Sequence, residues 1–301
     1  MPKQTVVRSS TDKARILAEI LLLVTILIWA GNNSLAKWTL GGMTMFQFNS
    51  IRYVVASLFL GSLFLVRARW LKVEPGDWKK TLLVGFLAGV AYQMAFISGL
   101  SLTTVGNCSV LLATSPIWTI ITNRVILKEA IRPMVITGMV TSFIGVGMII
   151  FGTGTLDVGA EGILGDFLCL FAATLWGLSS TLQKPLLARY SAIQLNVVIG
   201  LMGGMVFSVV AFPSFVAGES SALAPGYFFA AVVSGAFSIG LANTFWSFGV
   251  KKLGPAHASN FANLVPVFAL AIAYIALGEK LLLLQLIGAG VTLVGVWLAR
   301  K

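Results

Sequence analysis

Residues 16–37, ILAEILLLVTILIWAGNNSLAK, and residues 163–184, ILGDFLCLFAATLWGLSSTLQK, are two versions of one segment. At a fixed offset of 147, Glu19 falls on Asp166, Trp29 on Trp176 and Lys37 on Lys184. Each copy is an apolar run of the length that spans a bilayer as a helix, about 17–25 residues. The register continues with Gln47 and Asn49 on Gln194 and Asn196. After a three-residue insertion the offset becomes 150, and Gly85, Gly99, Ser109, Pro116, Glu129, Gly138 and Gly145 meet Gly235, Gly249, Ser259, Pro266, Glu279, Gly288 and Gly295. Chance pairs Leu and Gly in an apolar chain. It does not pair Trp, Lys, Gln, Asn, Pro and Glu in order with a single gap.

The rest of the chain has the same character. Of its 301 residues, 57% are apolar and 10% charged, and the mean hydropathy is +0.93. Soluble domains carry about 25% charged residues, so the composition excludes a soluble enzyme. The formal charge of +11 is spread thinly between apolar runs rather than gathered on one basic face, which also excludes a DNA-binding module. Ten spans follow, at about 16–36, 45–66, 80–101, 107–127, 133–152, 163–183, 192–215, 226–249, 257–277 and 282–299. Backbone groups in lipid must pair within the segment, so the spans are helices. They are too long, and lack the period-2 alternation, for a β-barrel. The basic start of the first span imitates a secretory signal, but no A-x-A-like cleavage site closes it, and it is kept as span 1.

Lysine and arginine accumulate on the cytoplasmic side of membrane proteins. With the N-terminus inside, eighteen of the 21 Lys and Arg fall in inner segments; Lys37 and Lys280 lie outside and Arg52 within span 2. Both termini are therefore expected in the cytoplasm, with a tail at 1–15 and repeats at 16–152 and 163–300. Each repeat has five spans, an odd number, so the second enters the membrane upside down. Inverted repeats of this kind build many secondary transporters, with the substrate site near the midplane between them.

The stretch from Asn263 to Trp297, with Pro266, Glu279, Gly288 and Gly295, resembles the second repeat of EamA-type members of the drug/metabolite transporter superfamily. The first half echoes it in Pro116, Glu129, Gly138 and Gly145 and opens with WAGNNSLAKW at 29–38. Within the superfamily the chain looks most like the aromatic amino-acid exporters. The resemblance implies an all-α, ten-helix carrier whose central cavity is shared by spans 1, 3, 4, 6, 8 and 9, with spans 5 and 10 as scaffold. Gly138 and Gly145, and Gly288 and Gly295, are seven apart, so each pair lines one helix face for close packing.

Polar residues in hydrocarbon face a cavity or another helix. Trp29, Asn33 and Lys37 form one stripe of span 1 with Asn32 beside it; Trp176, Ser180 and Lys184 repeat the spacing on span 6. Spans 3 and 4 add Tyr92, Gln93, Phe96, Ser109, Thr114 and Trp118. Spans 8 and 9 add Asn243, Trp246, Asn260 and Asn263. Amides beside flat aromatic surfaces suit a zwitterionic, partly apolar solute; the same groups could serve as interhelical hydrogen bonds alone. Pro116 and Pro266, near mid-span, free the carbonyls of Leu112 and Ala262 and could hinge a gate. Lys37 and Lys184 close their stripes at the helix ends and join the gating set.

The intramembrane charges have two readings each. Arg52 either snorkels or pairs with a neighbour, or meets a substrate carboxylate. Glu19 and Asp166 either favour the start of a helix or act as latches or proton carriers. His257 begins span 9 beside Pro255 and is either structural or a protonation switch. Glu129 and Glu279 sit at turns and are read as structural. Cys108 and Cys169 lie in apolar runs, giving neither a disulfide framework nor a metal motif. No phosphate loop and no G-x-S-x-G elbow occur, so neither an ATP-driven pump nor a hydrolase is expected; no cofactor, metal, nucleic acid or obligate protein partner is called for.

The expectation is a non-enzymatic secondary carrier in the bacterial inner membrane that exports amino acids or related metabolites by alternating access, a monomer sufficing. The alternatives are a proton-coupled exporter of cationic drugs using Glu19, an intramembrane enzyme, and a channel. With no central acidic pair, transport is expected to run down a substrate gradient without strict need of protons.

Overall fold

The computed structural model describes residues 3–67, 72–151, 160–218, 224–277 and 282–299. All regular structure among them is helical. Ten helical segments follow in order: α1 (Lys3–Thr39), α2 (Met45–Arg67), α3 (Pro75–Leu102), α4 (Val105–Leu112 and Ser115–Ile126), α5 (Pro133–Phe151), α6 (Ala160–Arg189), α7 (Ala192–Val216), α8 (Pro225–Leu253), α9 (Pro255–Ala262 and Val265–Leu277) and α10 (Leu283–Ala299). Five of them, α1, α3, α6, α7 and α8, are long and apolar enough to cross a membrane by composition, and α5 and α10 contain shorter apolar helices. Leu, Ile, Val and Phe cover their outer faces, as at Leu58, Leu65, Phe167, Val209 and Phe229, the inverse of a soluble protein's surface. Glu279 lies outside the described residues.

The helix contacts repeat between the two halves. α1 packs on α8 and α9 of the second half, and α6 packs on α3 and α4 of the first. α2 meets its counterpart α7, and α5 meets α10. The α5–α10 seam explains the spaced glycines. A Cβ at Gly138 would stand 2.5 Å from the Gly295 carbonyl oxygen, and one at Gly295 would stand 2.3 Å from the Ser142 nitrogen. The two backbones touch there, so no side chain fits.

Segments that the charge pattern assigns to one side of the membrane gather at one end of the bundle. Arg189 Nη1 and Tyr190 Oη donate to Asp77 Oδ2 at 2.6 and 2.9 Å, tying the α6–α7 turn to the start of α3. Lys184 at the end of α6 pairs with Glu129 in the α4–α5 connection. At the opposite end, Lys37 Nζ donates to the carbonyls of Leu100, Ser101 and Thr103 at 2.6, 3.2 and 2.9 Å, capping α3. Thr103 Oγ1 also donates to Asp166 at 2.6 Å.

Two local irregularities are duplicated with the rest. α3 and α8 each contain a π-helical stretch, Leu87–Ala91 and Ser234–Ala242. α4 and α9 are each interrupted before their proline. Proline has no N–H to continue the ladder, and the chain turns tighter there. Thr114 N donates to Leu111 O at 3.1 Å and Leu264 N to Phe261 O at 2.9 Å, three residues back instead of four. The backbone stays right-handed at Thr114 and Asn263, so the chain before Pro116 and Pro266 tightens by one turn rather than leaving the helical direction.

Candidate substrate cavity

These irregularities surround a cavity of about 70 Å³ at the centre of the bundle. Its wall takes Trp29, Asn32 and Asn33 from α1, Arg52 from α2, and Tyr92, Gln93 and Phe96 from α3. Ser109, Leu112, Ala113 and Ser115 flank the break in α4, and Ala262 and Val265 flank that in α9. Trp176 of α6 and Ser238, Ile239 and Asn243 of α8 complete it. A cavity this small holds a few waters (about 10–15 Å³ each by this measure), so a larger solute requires the helices to part.

One wall is aromatic. Trp29 lies 5.2 Å from both Trp176 and Trp246, centroid to centroid, and Trp176 lies 5.3 Å from Trp246. Tyr92 extends the cluster, 4.9 Å from Trp176 and stacked on Phe96 at 5.7 Å. These are the offset and edge-on separations that the ring quadrupoles favour. The lining also includes amides and one cation. Arg52 is 1% exposed, and its Nη1 donates to Asn49 Oδ1 at 3.1 Å and Gln93 Oε1 at 3.3 Å, while the guanidinium lies 4.7 Å from the Phe48 ring centroid. Among the described residues no carboxylate forms a salt bridge with it, and its Nε has no acceptor. A buried cation is costly unless paired. Arg52 therefore does not snorkel; it presents an unneutralised charge to the cavity.

The structure brings together Trp29, Asn32, Asn33, Arg52, Tyr92, Gln93, Ser109, Trp176 and Asn243 from the sequence expectations. It places the others elsewhere. Trp246 is 1% exposed beneath Trp29, with Nε1 donating to Ser180 Oγ at 3.4 Å, so both support the wall from behind. Trp118 packs its Cβ over Gly177, where an added methyl would meet it at 2.9 Å. Asn263 turns to the scaffold and donates to Ser142 Oγ at 2.6 Å. Asn260 is buried away from the cavity wall, and neither atom of its amide finds a partner among the described residues. Glu19 does not open a helix, because α1 already begins at Lys3; Arg15 Nε contacts it at 3.5 Å, one turn earlier. Asp166 likewise lies inside α6, bonded to Thr103. His257 lies outside the central cavity, in the first turn of α9. Cys108 and Cys169 are buried thiols with sulfurs 2.9 Å apart.

Sequence reading missed Ser115 and Ser238, whose approach depends on the break in α4 and the π-helical turn in α8. It also missed the part played by Asn49, which the duplication pairs with Asn196 but which no motif marks as the partner that orients Arg52.

An all-helical, membrane-type bundle of two similar halves around a polar–aromatic centre is the architecture of a solute carrier. The chain belongs to the EamA-like transporter family, whose pattern it matches twice, at residues 16–151 and 163–300. It is similar to the uncharacterized transporter YoaV of Bacillus subtilis, 22% identical over 272 residues and covering 90% of this chain and 92% of that protein. An uncharacterized transporter of Archaeoglobus fulgidus is 27% identical over 292 residues, covering 93% and 96%. A probable terminal-alkyne amino-acid exporter of Streptantibioticus cattleyicolor is 27% identical over 284 residues, covering 93% and 92%. A protein of known crystal structure shares the fold with a TM-score of 0.75 at 16% identity, covering 94% of this chain and 98% of that one. The protein is a membrane transporter, and its relatives are named as transporters rather than enzymes.

Proposed function

We propose that this transporter exports amino acids, aromatic and other apolar ones favoured, across the bacterial inner membrane by alternating access, with both termini in the cytoplasm. The observation that carries the reading is Arg52: a buried cation without a carboxylate partner among the described residues, lining one cavity with amides and aromatic rings. A substrate α-carboxylate supplies the missing charge, and charge-assisted bonds to a guanidinium are the strong ones. Asn33 and Asn243 offer oxygen acceptors to the α-ammonium, while the oxygens of Asn32 and Gln93 already accept from Ser234 and Arg52. Trp29, Trp176 and Tyr92 cover an apolar side chain. The Streptantibioticus relative, named as a probable amino-acid exporter, agrees in substrate class.

The two repeats would act as the moving halves, with the breaks at Ala113–Thr114 and Asn263–Leu264 allowing each half of α4 and α9 to swing separately. Because the described cavity wall holds no acid, the reading is of transport down a substrate gradient. Arg52 stands against the cationic-drug alternative, since like charges in a desolvated site repel, and Glu19 is not in the cavity wall. The test is counterflow of labelled phenylalanine in proteoliposomes holding the protein. Saturable, substrate-dependent flux that persists when ΔpH is collapsed is expected. Absence of flux for any of the twenty amino acids, with the protein folded and inserted, would overturn the reading.

A further inference from the structure

The central cavity has a charge balance that narrows what it can enclose. Among its described lining residues Arg52 is the one ionised group, joined by no Asp, Glu, Lys or His. Its Nη1 is engaged by the amide oxygens of Asn49 and Gln93 at 3.1 and 3.3 Å. Those partners are neutral dipoles, so they orient the guanidinium and leave its charge in place. None of the salt bridges among the described residues reaches it. The other polar groups of the wall are neutral as well. Asn32 Oδ1 accepts from Ser234, and Asn33 and Asn243 stand half-buried at the cavity. Trp29, Trp176 and Tyr92 supply the aromatic part of the lining.

A solute enclosed there brings its own charge into a region that excludes water, where an unmatched charge is strongly disfavoured. A zwitterion neutralises Arg52 with its carboxylate but adds an ammonium. The occupied cavity then still holds one net positive charge, faced only by neutral amides. An aromatic cation would make two. A monoanion leaves none. We propose that the central cavity carries aromatic monocarboxylates, which have the ring and carboxylate of an aromatic amino acid but no ammonium, and takes them in preference to the amino acids themselves. Aryl-2-oxo acids are the class that fits. The proposal rests on the assignment of the substrate carboxylate to Arg52 made above and differs in what stands beside that carboxylate. An amide has two N–H donors as well as its oxygen, so Asn33 and Asn243 can serve a 2-oxo oxygen without any counter-charge. Trp29, Trp176 and Tyr92 cover the aryl ring as before. The charge of the solute also sets the driving force. A monoanion leaving a negative interior moves down the membrane potential, and about 100 mV supports an outward gradient of about 50-fold with no proton involved. A zwitterion draws nothing from the potential.

The experiment loads proteoliposomes of the full-length protein with labelled phenylpyruvate, which stays ionised at neutral pH, and follows its efflux while a potassium gradient with valinomycin sets the membrane potential. Protein-free liposomes report the leak. Saturable efflux is expected, faster with the interior negative and slower with it positive. Its half-saturating concentration should lie about tenfold or more below that of phenylalanine, since like charges set together in a desolvated site are strongly disfavoured. Phenylalanine efflux should ignore the potential, and phenethylamine, with ring and ammonium but no carboxylate, should not be carried. Arg52→Gln should remove phenylpyruvate flux. Asn243→Asp keeps the size of the side chain and adds the acid that the wall lacks; it should reverse the order of phenylpyruvate and phenylalanine, a switch that no loss of fold produces. Phenylalanine carried while phenylpyruvate is carried less well or not at all overturns the proposal and leaves the amino-acid reading intact. Phenylpyruvate carried with no amino acid supports the proposal and overturns that reading. Flux of neither overturns both. Phenylpyruvate flux that ignores the potential, survives Arg52→Gln, keeps its lead in Asn243→Asp or is matched by phenethylamine overturns the charge balance on which the proposal stands.

Discussion

Replacing Arg52 with methionine separates its part in transport from its part in folding, because the two effects differ in size and in what they depend on. In the folded protein the guanidinium bonds Asn49 at 3.1 Å and Gln93 at 3.3 Å and lies over Phe48. Removing it leaves two amides short of a donor, at about 1–3 kcal/mol when no water reaches them. It also removes a desolvated charge with no ion partner among the described residues, and replacing buried charge by an apolar side chain of similar volume is often neutral or favourable. These terms oppose one another, so thermal stability in detergent should shift by no more than about 2 kcal/mol in either direction. Transport has no such compensation. A charge-assisted hydrogen bond contributes about 1.5–3 kcal/mol, so the half-saturating concentration of phenylalanine should rise about 10- to 150-fold. Phenylalanine methyl ester, which lacks the carboxylate, should lose far less. The assay is counterflow in proteoliposomes with acid and ester side by side, and a thermal melt of the same preparations. Equal losses for acid and ester, or an unchanged half-saturation, would refute the assignment of Arg52 to the carboxylate.

Three further outcomes follow from other parts of the molecule. At the α5–α10 seam, Gly295→Val should destabilise by about 1–3 kcal/mol or more, as overpacking does, because its Cβ would stand 2.3 Å from the Ser142 nitrogen; Gly290→Ala, with nothing within 4 Å, should be neutral or slightly stabilising, and parallel thermal melts check the contrast. Trp29→Ala removes the ring shared by Trp176 and Trp246; with an aromatic contact contributing about 0.5–1.5 kcal/mol beyond burial, competition assays should show phenylalanine losing about 2- to 13-fold of its advantage over alanine. Lys184→Met breaks the pair with Glu129, whose side chains are 34% and 42% exposed; an exposed pair contributes about 0–1 kcal/mol, so the melt should move little, and a loss above about 2 kcal/mol would show a larger role than a surface tie.

The family and the helical class are readable from periodicity and repetition. The apolar runs state the helices, because lipid leaves the backbone no other partner. The small residues at Gly138, Gly145, Gly288 and Gly295 announce a close helix pair, because a backbone contact tolerates nothing larger. Both signals are local. Five candidate wall residues were misplaced for a reason that is also physical. A 3.6-residue period relates residues only along an unbroken helix, and four of the seven helices that line the cavity are interrupted. The break at Asn263–Leu264 resets the phase, so Asn263 turns to Ser142, while three residues along the unbroken end of α8 carry Trp246 round from Asn243 at the cavity wall to Ser180.

The charge of Arg52 was equally legible, but its burial was not. It depends on Gly235 of α8, where a Cβ would stand 2.5 Å from the Arg52 carbonyl oxygen, so a glycine 183 positions away lets α2 approach and seal the guanidinium inside. The two segments with which the chain announces its duplication thus determine, by themselves, that it is a membrane bundle of two related halves. Which of their polar residues meet, and that a buried cation stands among amides there, was decided only in the folded structure, because hydrophobic pattern is written along one helix while burial is a property of the helices packed against it.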